Sequence, residues 1–292
     1  NTQLGTGIKI PYFITLGNSR DLTLTPYVSS ETRTLELIYR QAFRNGNLRI
    51  EAAASDDTLE DANRSYVFAS GNFDLSGDYK LNFDVEAVSD KAYLADYDYS
   101  DKDRLDSALS VTRITATTLT QADLTFYQTL RDDEANSSLP PIVADARFEA
   151  RKNPGWGGTL TYGASIDSAY RYSAVDGDDG RDVTRTGVFG TWDDSWLLPG
   201  GIVATGLTGL RADYYAVQDD SNYPSGAGRV IPSAQVTLRW PWAAYGAGGA
   251  SQLITPVMSL SWADSYGATA PNEDSTRSEL DQGNLLAVSR FV

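Results

Sequence analysis

The chain has 292 residues, of which 39 are acidic and 24 basic, giving a formal net charge of -15. This charge argues against nucleic acid as a partner, because proteins that bind it carry clustered Lys and Arg. The sequence has no Cys and no His, which excludes disulfides, thiolate chemistry and the commonest general base and metal ligand. It has no run of about 18 apolar residues, so no transmembrane helix is predicted.

The chain opens with a predicted hairpin at residues 7–28. In both halves every second residue is apolar, a pattern that predicts strands with one apolar and one polar face. Each strand also contains a proline, Pro11 in the first and Pro26 in the second. Proline has no N–H for a strand ladder and is normally confined to sheet edges or bulges. The sequence therefore predicts a weakly paired hairpin.

Further strands with the same alternation follow, separated by tight turns or by longer acidic connections. With the hairpin they make about fourteen strands of the length that crosses a membrane. Long polar connections are predicted at 90–103 and 131–139, and a polar irregular segment at 263–292. The strands are predicted at 33–43, 47–55, 64–75, 78–89, 105–115, 119–129, 142–151, 159–172, 181–192, 201–217, 229–242 and 251–262.

This pattern suits either a soluble β-sandwich or an antiparallel transmembrane β-barrel. The barrel is favoured because the polar faces carry full charges, as a water-filled interior allows, and because the strands are longer than usual in globular sheets. Aromatic residues near strand ends also suggest an interfacial girdle, formed by Tyr39, Tyr66, Tyr93, Tyr127, Tyr172, Trp192, Trp240, Trp242 and Trp262. The predicted fold is an antiparallel transmembrane β-barrel of all-β class.

The residues that carry chemistry in most enzymes are missing or unspecific. Without His and Cys the usual hydrolase arrangements have no base, and 39 acidic residues make paired carboxylates inevitable. The Asp176–Gly180 segment lacks the closing Glu of a calcium loop and is predicted to be a turn. We predict no enzyme activity, no cofactor and no metal site.

Several motifs together resemble the LptD family of lipopolysaccharide-assembly proteins. Their order and spacing hold across the chain, with mild departures at Thr255, where Glu is common in the family, and at Ser289, where Asn is common. The motifs lie at 10–13, 18–27, 229–232, 238–241, 252–256, 271–275, 280–286 and 289–291.

The resemblance implies a translocon in the outer membrane of a Gram-negative cell. In that family a periplasmic jelly-roll receives lipopolysaccharide from a bridge of similar domains. A barrel plugged by the lipoprotein LptE then releases it sideways into the outer leaflet, through a lateral gate between the first and last strands. The prolines matching Pro11 and Pro26 weaken that gate.

The resemblance also implies that residues 1–292 are one barrel segment, with the jelly-roll before it and the last strands after it. A periplasmic start would place the long connections after Ser89 and Thr129 on the periplasmic side, whereas barrels normally place long loops outside. The side on which these loops lie is left open.

Alternatives remain open at this stage. A diffusion porin has the same alternation without a weak seam, and a soluble sugar-binding β protein is a third candidate. The short acidic clusters, such as Asp56-Asp57 and Asp132-Asp133-Glu134, are interpreted as solvated loops, with contact to divalent cations or to a lipopolysaccharide surface as the alternative.

Overall fold

The protein is described by a computed structural model over residues 4–273, except residues 61, 138 and 247. The described part consists of β-strands and connections with almost no helix: one sheet contains 16 strands, and two more strands form a separate hairpin. This confirms the all-β antiparallel fold predicted from the alternating pattern. No helix in the described part is long and apolar enough to cross a membrane.

The strands are numbered in chain order. A 3-10 turn at Ser76–Asp78 precedes β7, and a short helix, α1, spans Tyr93–Asp96. The strands are β1 Ile8–Lys9, β2 Tyr12–Thr15, β3 Arg20–Val28, β4 Thr32–Phe43, β5 Gly46–Asp57, β6 Arg64–Asp74, β7 Tyr79–Val88, β8 Arg104–Ile114, β9 Thr118–Thr129, β10 Ile142–Lys152, β11 Thr159–Tyr170, β12 Asp182–Leu198, β13 Ile202–Gln218, β14 Gly226–Arg239, β15 Trp242–Tyr245, β16 Ser251–Ile254, β17 Val257–Ala263 and β18 Tyr266–Gly267.

Strands that follow one another in the chain are neighbours in the sheet from β3 to β14. The short strands β1 and β2 both pair with β3, and β17 and β18 both pair with β14. The chain divides into two compact units. The first comprises the described residues up to Ile114 with Thr120–Ala146 and Ser168–Asp182, and the second comprises Thr115–Leu119, Arg147–Asp167 and the described residues from Val183 on.

In the first unit, one side of the sheet is apolar and exposed. Leu24, Leu37, Ala52 and Val67 follow one another across β3 to β6 because they face each other in the strand register. Val67 is 43% exposed and Leu35, next to this row, is 50% exposed. A large apolar face open to its surroundings suits a sheet that contacts lipid.

The opposite, polar face of the first unit is covered at one end by the connection between β7 and β8. In α1, Tyr93 and Leu94 are 0% and 1% exposed. They pack with Tyr66, Leu105 and Leu130 in one cluster. The connection predicted to be a polar loop therefore supplies the main core of this unit, because its aromatic and leucine side chains turn back over the sheet.

The long loops of the first unit lie at one end of its strands, together with the short turn at 29–31, and the other end carries tight turns. Leu4 packs in the same cluster as α1, so the start of the described chain is at the long-loop end. The predicted strand count is therefore right in this region, and the long loops fold inward over the polar face. Tight turns occur at 17–19, 44–45 and 75–78, and long loops at 89–103, 130–141 and 171–181.

The second unit is dominated by β13 and β14, which pair from Val203–Arg239 to Ala216–Gly226 without a break. On the other side of β14, β17 and β18 continue one register, interrupted at residues 264–265. The separate hairpin joins β15 to β16. A small core on the polar face contains Val183, Tyr215, Val217 and Ala227.

Several predicted strands have different limits in the structure, and the strand predicted at 181–192 runs on to Leu198. The predicted strand at 229–242 ends at Arg239, and the predicted strand at 251–262 is two strands separated at Pro256. Proline interrupts ladder bonding there, as expected of its missing N–H. The predicted irregular segment at 263–292 includes β18, and residues 274–292 lie outside the described part.

Two further expectations are corrected by burial. Tyr66 and Tyr93, predicted in an interfacial girdle, lie in the inner cluster, whereas Trp242 and Trp262 are 50% and 51% exposed. The Asp57 carboxylate, predicted in a solvated loop, is fully buried. The cause is the same in each case: the inward-folded connection brings protein over side chains that sequence places near strand ends.

Candidate functional site

The first edge of the sheet is a hairpin in which one strand is interrupted. Ile8 faces Val28 and Tyr12 faces Leu24, so β1 and β2 share one register against β3. The interruption falls at Ile10 and Pro11, between the two strands. The predicted first strand is therefore present but broken, and the break coincides with its proline.

Pro26 removes a bond inside this hairpin. The amide of Ile10 donates to the carbonyl of Pro26 at 3.2 Å. In an antiparallel ladder such a pair normally exchanges two bonds, but Pro26 has no N–H to return to Ile10. One of the two bonds that should hold the edge strand at this point is absent by chemistry.

Pro11 acts on the other side of the same strand. Successive amides of a strand point to opposite sides, and Ile10 donates toward β3. The nitrogen of Pro11 is therefore directed away from β3, toward the outer edge of the sheet. Pro11 weakens any strand that joins this edge, whereas Pro26 weakens the attachment of the edge to the sheet.

Two further prolines, Pro232 and Pro256, remove ladder bonds between β14 and the chain segment that contains β17 and β18. The amide of Trp240 donates to Pro256 at 3.0 Å, and that of Asp264 donates to Pro232 at 3.3 Å. Neither proline can return a bond, and the interruption between β17 and β18 begins at Asp264. Ladder pairs that lack one hydrogen bond because of a proline are thus not confined to the opening hairpin.

The edge strand exposes apolar side chains on both of its faces. Ile8, Ile10 and Tyr12 on the apolar face are 68%, 50% and 55% exposed, and Phe13 on the polar face is 59% exposed. Lys9 lies on the same face of the strand as Phe13. An amphiphilic surface on both sides of a weakly attached strand suits contact with an amphiphilic molecule.

The polar side of the hairpin is tied to the inward-folded loop. Lys9 Nζ lies 2.5 Å from Glu36 Oε1, and the hydroxyl of Tyr99 donates to the same oxygen at 2.8 Å. Burial, reinforced by the hydrogen bond to Glu36, raises the pKa of the Tyr99 phenol well above its ordinary value. Tyr99 stays protonated and keeps donating at every physiological pH.

The loop itself is anchored by a buried arginine. Arg64, with a side chain 2% exposed, donates to both carboxylate oxygens of Asp90 at 2.7 and 3.0 Å and to Asp96 at 2.9 Å. Burial opposes ionisation of Asp90, but the hydrogen bonds and charge of Arg64 lower the pKa of its carboxyl. The guanidinium also lies 5.1 Å from the ring centre of Tyr93.

A second loop, at 130–141, is bound to the start of β8 and the end of β9 through Glu134. Its carboxylate accepts two hydrogen bonds from Arg104 at 2.8 and 3.0 Å, one from Thr129 at 2.8 Å and one from Arg131 at 3.1 Å. Hydrogen bonding from Arg104 and Thr129 lowers the pKa of Glu134 to about 2. Lys91 of the first loop donates to the carbonyl of Arg131, so the two long loops are linked to each other over the polar face.

No group of acidic residues in the described ranges could hold a metal ion. At the predicted turn, the amide of Gly180 donates to Gly177 at 3.1 Å, and Asp178 lies 2.7 Å from Arg181. The segment is a turn held by an ion pair. Gly246, Gly248 and Gly249 lie in the connection between two strands, β15 and β16, and not between a strand and a helix.

Comparison with known proteins gives one decisive match. The family model of LptD, LPS transport system D, matches residues 62–292. The chain belongs to the LptD family. No curated protein matches the sequence.

Membership of the LptD family settles the class of function. The protein takes part in lipopolysaccharide transport at the outer membrane, and the strand-rich sheet is that of an outer-membrane β-barrel. LptD proteins are transport proteins, so the prediction that this chain is not an enzyme is confirmed.

The LptD match covers some of the motifs that suggested it. The motifs at 229–232, 238–241 and 252–256 lie inside the matched range. Those at 280–286 and 289–291 lie inside it but outside the described residues. The hairpin with Pro11 and Pro26 precedes residue 62, so its role is not decided by the match.

Sequence reasoning missed the charged groups that hold the loops. Arg64, Glu36 and Glu134 find their partners across strands and loops far apart in the chain, which spacing alone does not reveal. One signal was available: four tyrosines and leucines within α1 and its flanks, Tyr93, Leu94, Tyr97 and Tyr99, are too apolar for a solvated loop.

Proposed function

We propose that this chain forms the first strands of an LptD-type translocon, which inserts lipopolysaccharide into the outer leaflet through a lateral gate. The gate lies between the edge strand formed by β1 and β2 and the last strand of the barrel. The pair formed by Ile10 and Pro26 carries this proposal, because it holds the edge strand with one bond where two are normal.

The energetics of the hairpin support opening at this edge. The edge strand contributes ladder segments of two and four residues, whereas β4 and β5 contribute twelve each. A ladder bond contributes about 1 kcal/mol, so each missing bond raises the population of the parted state about fivefold. Pro11 removes a further donor from the side on which a closing strand would pair.

The two faces of the hairpin suit the two parts of lipopolysaccharide. Its acyl chains would pass along the exposed apolar side chains Ile8, Ile10 and Tyr12, which lie on the lipid side. Its sugars would remain on the polar face beside Lys9 and Glu36. Parting at the gate lets the molecule cross the wall without transferring its sugars through the hydrocarbon core.

We further propose the partners and orientation that the family resemblance implies. An LptE-like lipoprotein occupies the polar interior, and a jelly-roll domain delivers lipopolysaccharide from the periplasmic bridge. Leu4 and the long loops share one end, so a periplasmic domain joined ahead of the barrel places that end in the periplasm. The inward folding of the loops explains why long connections are tolerated there.

The gate is tested in the full-length protein with Pro11→Ala, Pro26→Ala and the double variant. Restoring one ladder bond should slow the appearance of newly made lipopolysaccharide at the cell surface about fivefold, and restoring both should slow it further. The measurement is pulse-labelling of surface lipopolysaccharide at matched levels of folded protein.

Pro232→Ala is the matched control, since it restores a ladder bond from β14 to Asp264, between β17 and β18, rather than at the edge hairpin. It should leave export unchanged. Normal export in the double variant, or an equal loss in the control, would show that the hairpin is not the gate.

A further inference from the structure

The polar face of the second unit gathers three arginines around one buried carboxylate. We call Arg185 on β12, Arg211 on β13 and Arg229 on β14 the arginine cluster. All three lie within 4.0 Å of Asp213, whose side chain is 1% exposed. The cluster stands out in a chain whose net charge is -15.

One arginine of the cluster is fully engaged in holding Asp213. The Nε of Arg211 donates to both carboxylate oxygens, at 2.8 and 3.0 Å. Space for this pair comes from Gly187 on β12, where a Cβ would lie 2.4 Å from Asp213 Oδ1 and 3.0 Å from Arg211 Nη2. The Arg211–Asp213 pair is therefore tightly packed, and Asp213 holds the other two arginines near it.

The other two arginines are under-used as donors. Arg185 lies 3.7 Å from Asp167 and 3.7 Å from Asp213, and within the described residues it makes no hydrogen bond. Arg229 donates one bond, to the hydroxyl of Tyr215 at 2.6 Å. In the part of the chain that the structure describes, the Nε atoms of Arg185 and Arg229 are buried and have no hydrogen-bond partner. Buried donors without partners are rare and need an explanation.

Both under-used guanidinium groups remain reachable. The side chains of Arg185 and Arg229 are 26% and 31% exposed. Among the described residues, the ion pairs of these three guanidinium groups involve two carboxylates, Asp213 and Asp167, so the cluster keeps a positive charge. A guanidinium presents several N–H donors in a planar fork that matches the oxygens of phosphate and carboxylate groups.

We propose that Arg185 and Arg229, held in place by Asp213, bind an oxyanion group of lipopolysaccharide on the polar face. The inference rests on the proposed function, and it adds a binding point for the phosphate or carboxylate groups of the transported molecule. Bound there, the anionic part of the molecule would be held on the polar side of the sheet.

The test uses the purified full-length protein with its companion lipoprotein in detergent. Binding is measured for native lipopolysaccharide, for lipopolysaccharide stripped of phosphate, and for lipopolysaccharide whose carboxylates have been reduced. The variant is Arg185→Gln with Arg229→Gln. Loss of both charged forks should weaken binding of the native molecule about tenfold or more.

Arg147→Gln is the matched control. Arg147 lies on the polar face of the same unit and is already paired, 2.6 Å from Glu149, so its loss should leave binding unchanged. Heat-modifiable migration confirms that each variant is folded. If the glutamine double variant does not fold, the corresponding lysine double variant keeps the charge but lacks the fork, and is expected to bind several-fold more weakly.

The outcomes separate the source of the oxyanion and the failure of each proposal. A defect that disappears with phosphate-stripped molecules assigns phosphate, and one that disappears with carboxylate-reduced molecules assigns carboxylate. If the wild type binds native lipopolysaccharide and the double variant binds it equally well, the inference about the arginine cluster is overturned and the proposed function is not. No binding by the wild type would instead count against the proposed transport of lipopolysaccharide.

Discussion

The amide of Ile10 and the carbonyl of Pro26 form a hydrogen bond of 3.2 Å that has no reciprocal partner. The register on both sides of this pair is unbroken, so the missing bond reflects the chemistry of proline rather than a distortion of the hairpin. Pro11 removes a donor from the opposite side of the same strand. The two prolines are therefore predicted to have separable effects.

Pro26→Ala is expected to protect the hairpin from hydrogen exchange. The new N–H can donate to Ile10, and one added ladder bond should slow exchange in the edge strand about fivefold. Exchange of peptides covering β2 and β3 in the full-length protein provides the measurement. Pro11→Ala should instead protect whichever strand lies on the outer side. Equal protection of the β2–β3 amides by both variants would contradict the assigned directions.

Arg64→Leu is expected to be strongly destabilising. It leaves Asp57, Asp90 and Asp96 without the buried cation that they share, and breaking a buried ion pair in this way costs about 3–5 kcal/mol. Urea unfolding of the protein in lipid vesicles would measure the loss.

Lys80→Leu is the control for the Arg64 variant. Lys80 pairs with Asp74, and both side chains are largely exposed, at 69% and 72%. Exposed pairs contribute little because water screens them, so no shift of the unfolding curve is expected. If the two substitutions had similar effects, the buried network would not be what anchors the loop.

The attachment of the 130–141 loop to Arg104 and Thr129 is predicted to weaken in acid. Hydrogen bonding from Arg104 and Thr129 lowers the pKa of Glu134 to about 2, from an ordinary value of 4.5. A depressed folded-state pKa gives stabilisation that is complete above pH 4.5 and is lost as the pH falls toward 2. Pepsin cleavage within 130–141 should therefore accelerate across this range.

Glu134→Gln should remove that pH dependence. In this variant the rate of cleavage within 130–141, relative to cleavage at other sites, is expected to stay constant from pH 4.5 to 2. The reason is that a glutamine amide cannot take up the proton that breaks the contact in the wild type. The cleavage rates of wild type and variant are compared at each pH, so that the pH dependence of pepsin itself cancels. An unchanged acid-induced acceleration in the variant would assign the effect to another carboxylate.

Gly187→Ala is expected to destabilise the second unit by about 1–3 kcal/mol, as overpacking of a close contact typically does. Its Cβ would fall 2.4 Å from Asp213 Oδ1. Gly190 on the same strand has nothing within 4 Å of a Cβ, so Gly190→Ala should be close to neutral. Thermal unfolding of both variants tests this, and equal melting temperatures would argue against tight packing of the Arg211–Asp213 pair.

Much of the fold was predictable because it depends on local chemistry. Alternation over 78–89 predicts the strand found at Tyr79–Val88, and the turn residues Arg44-Asn45-Gly46 predict the reversal between β4 and β5. The predicted strand limits were wrong at Pro11 and Pro256, because the alternation of apolar and polar residues continues through a proline that interrupts the ladder. The separate hairpin of β15 and β16 was missed for the same reason.

The candidate site was predictable only in part. Pro11 and Pro26 stand out in the sequence because their effect is a property of the residue itself. The direction of each effect needed the register, since only pairing shows which neighbour loses a bond. The anchors Arg64 and Glu134, and the arginine cluster, come from strands and loops distant in the chain and are invisible to spacing.

By itself the sequence determined the β class, the two unlike faces of the strands and the proline-marked opening hairpin, because side-chain alternation and the missing N–H of proline are local properties. The tertiary structure decided that the polar loop at 89–103 is a buried core, that Asp57 is buried beside Arg64 and Asp213 lies among three arginines, and that Pro11 and Pro26 act on opposite sides of one strand. These depend on register and on long-range burial, which bring together residues that the chain keeps far apart.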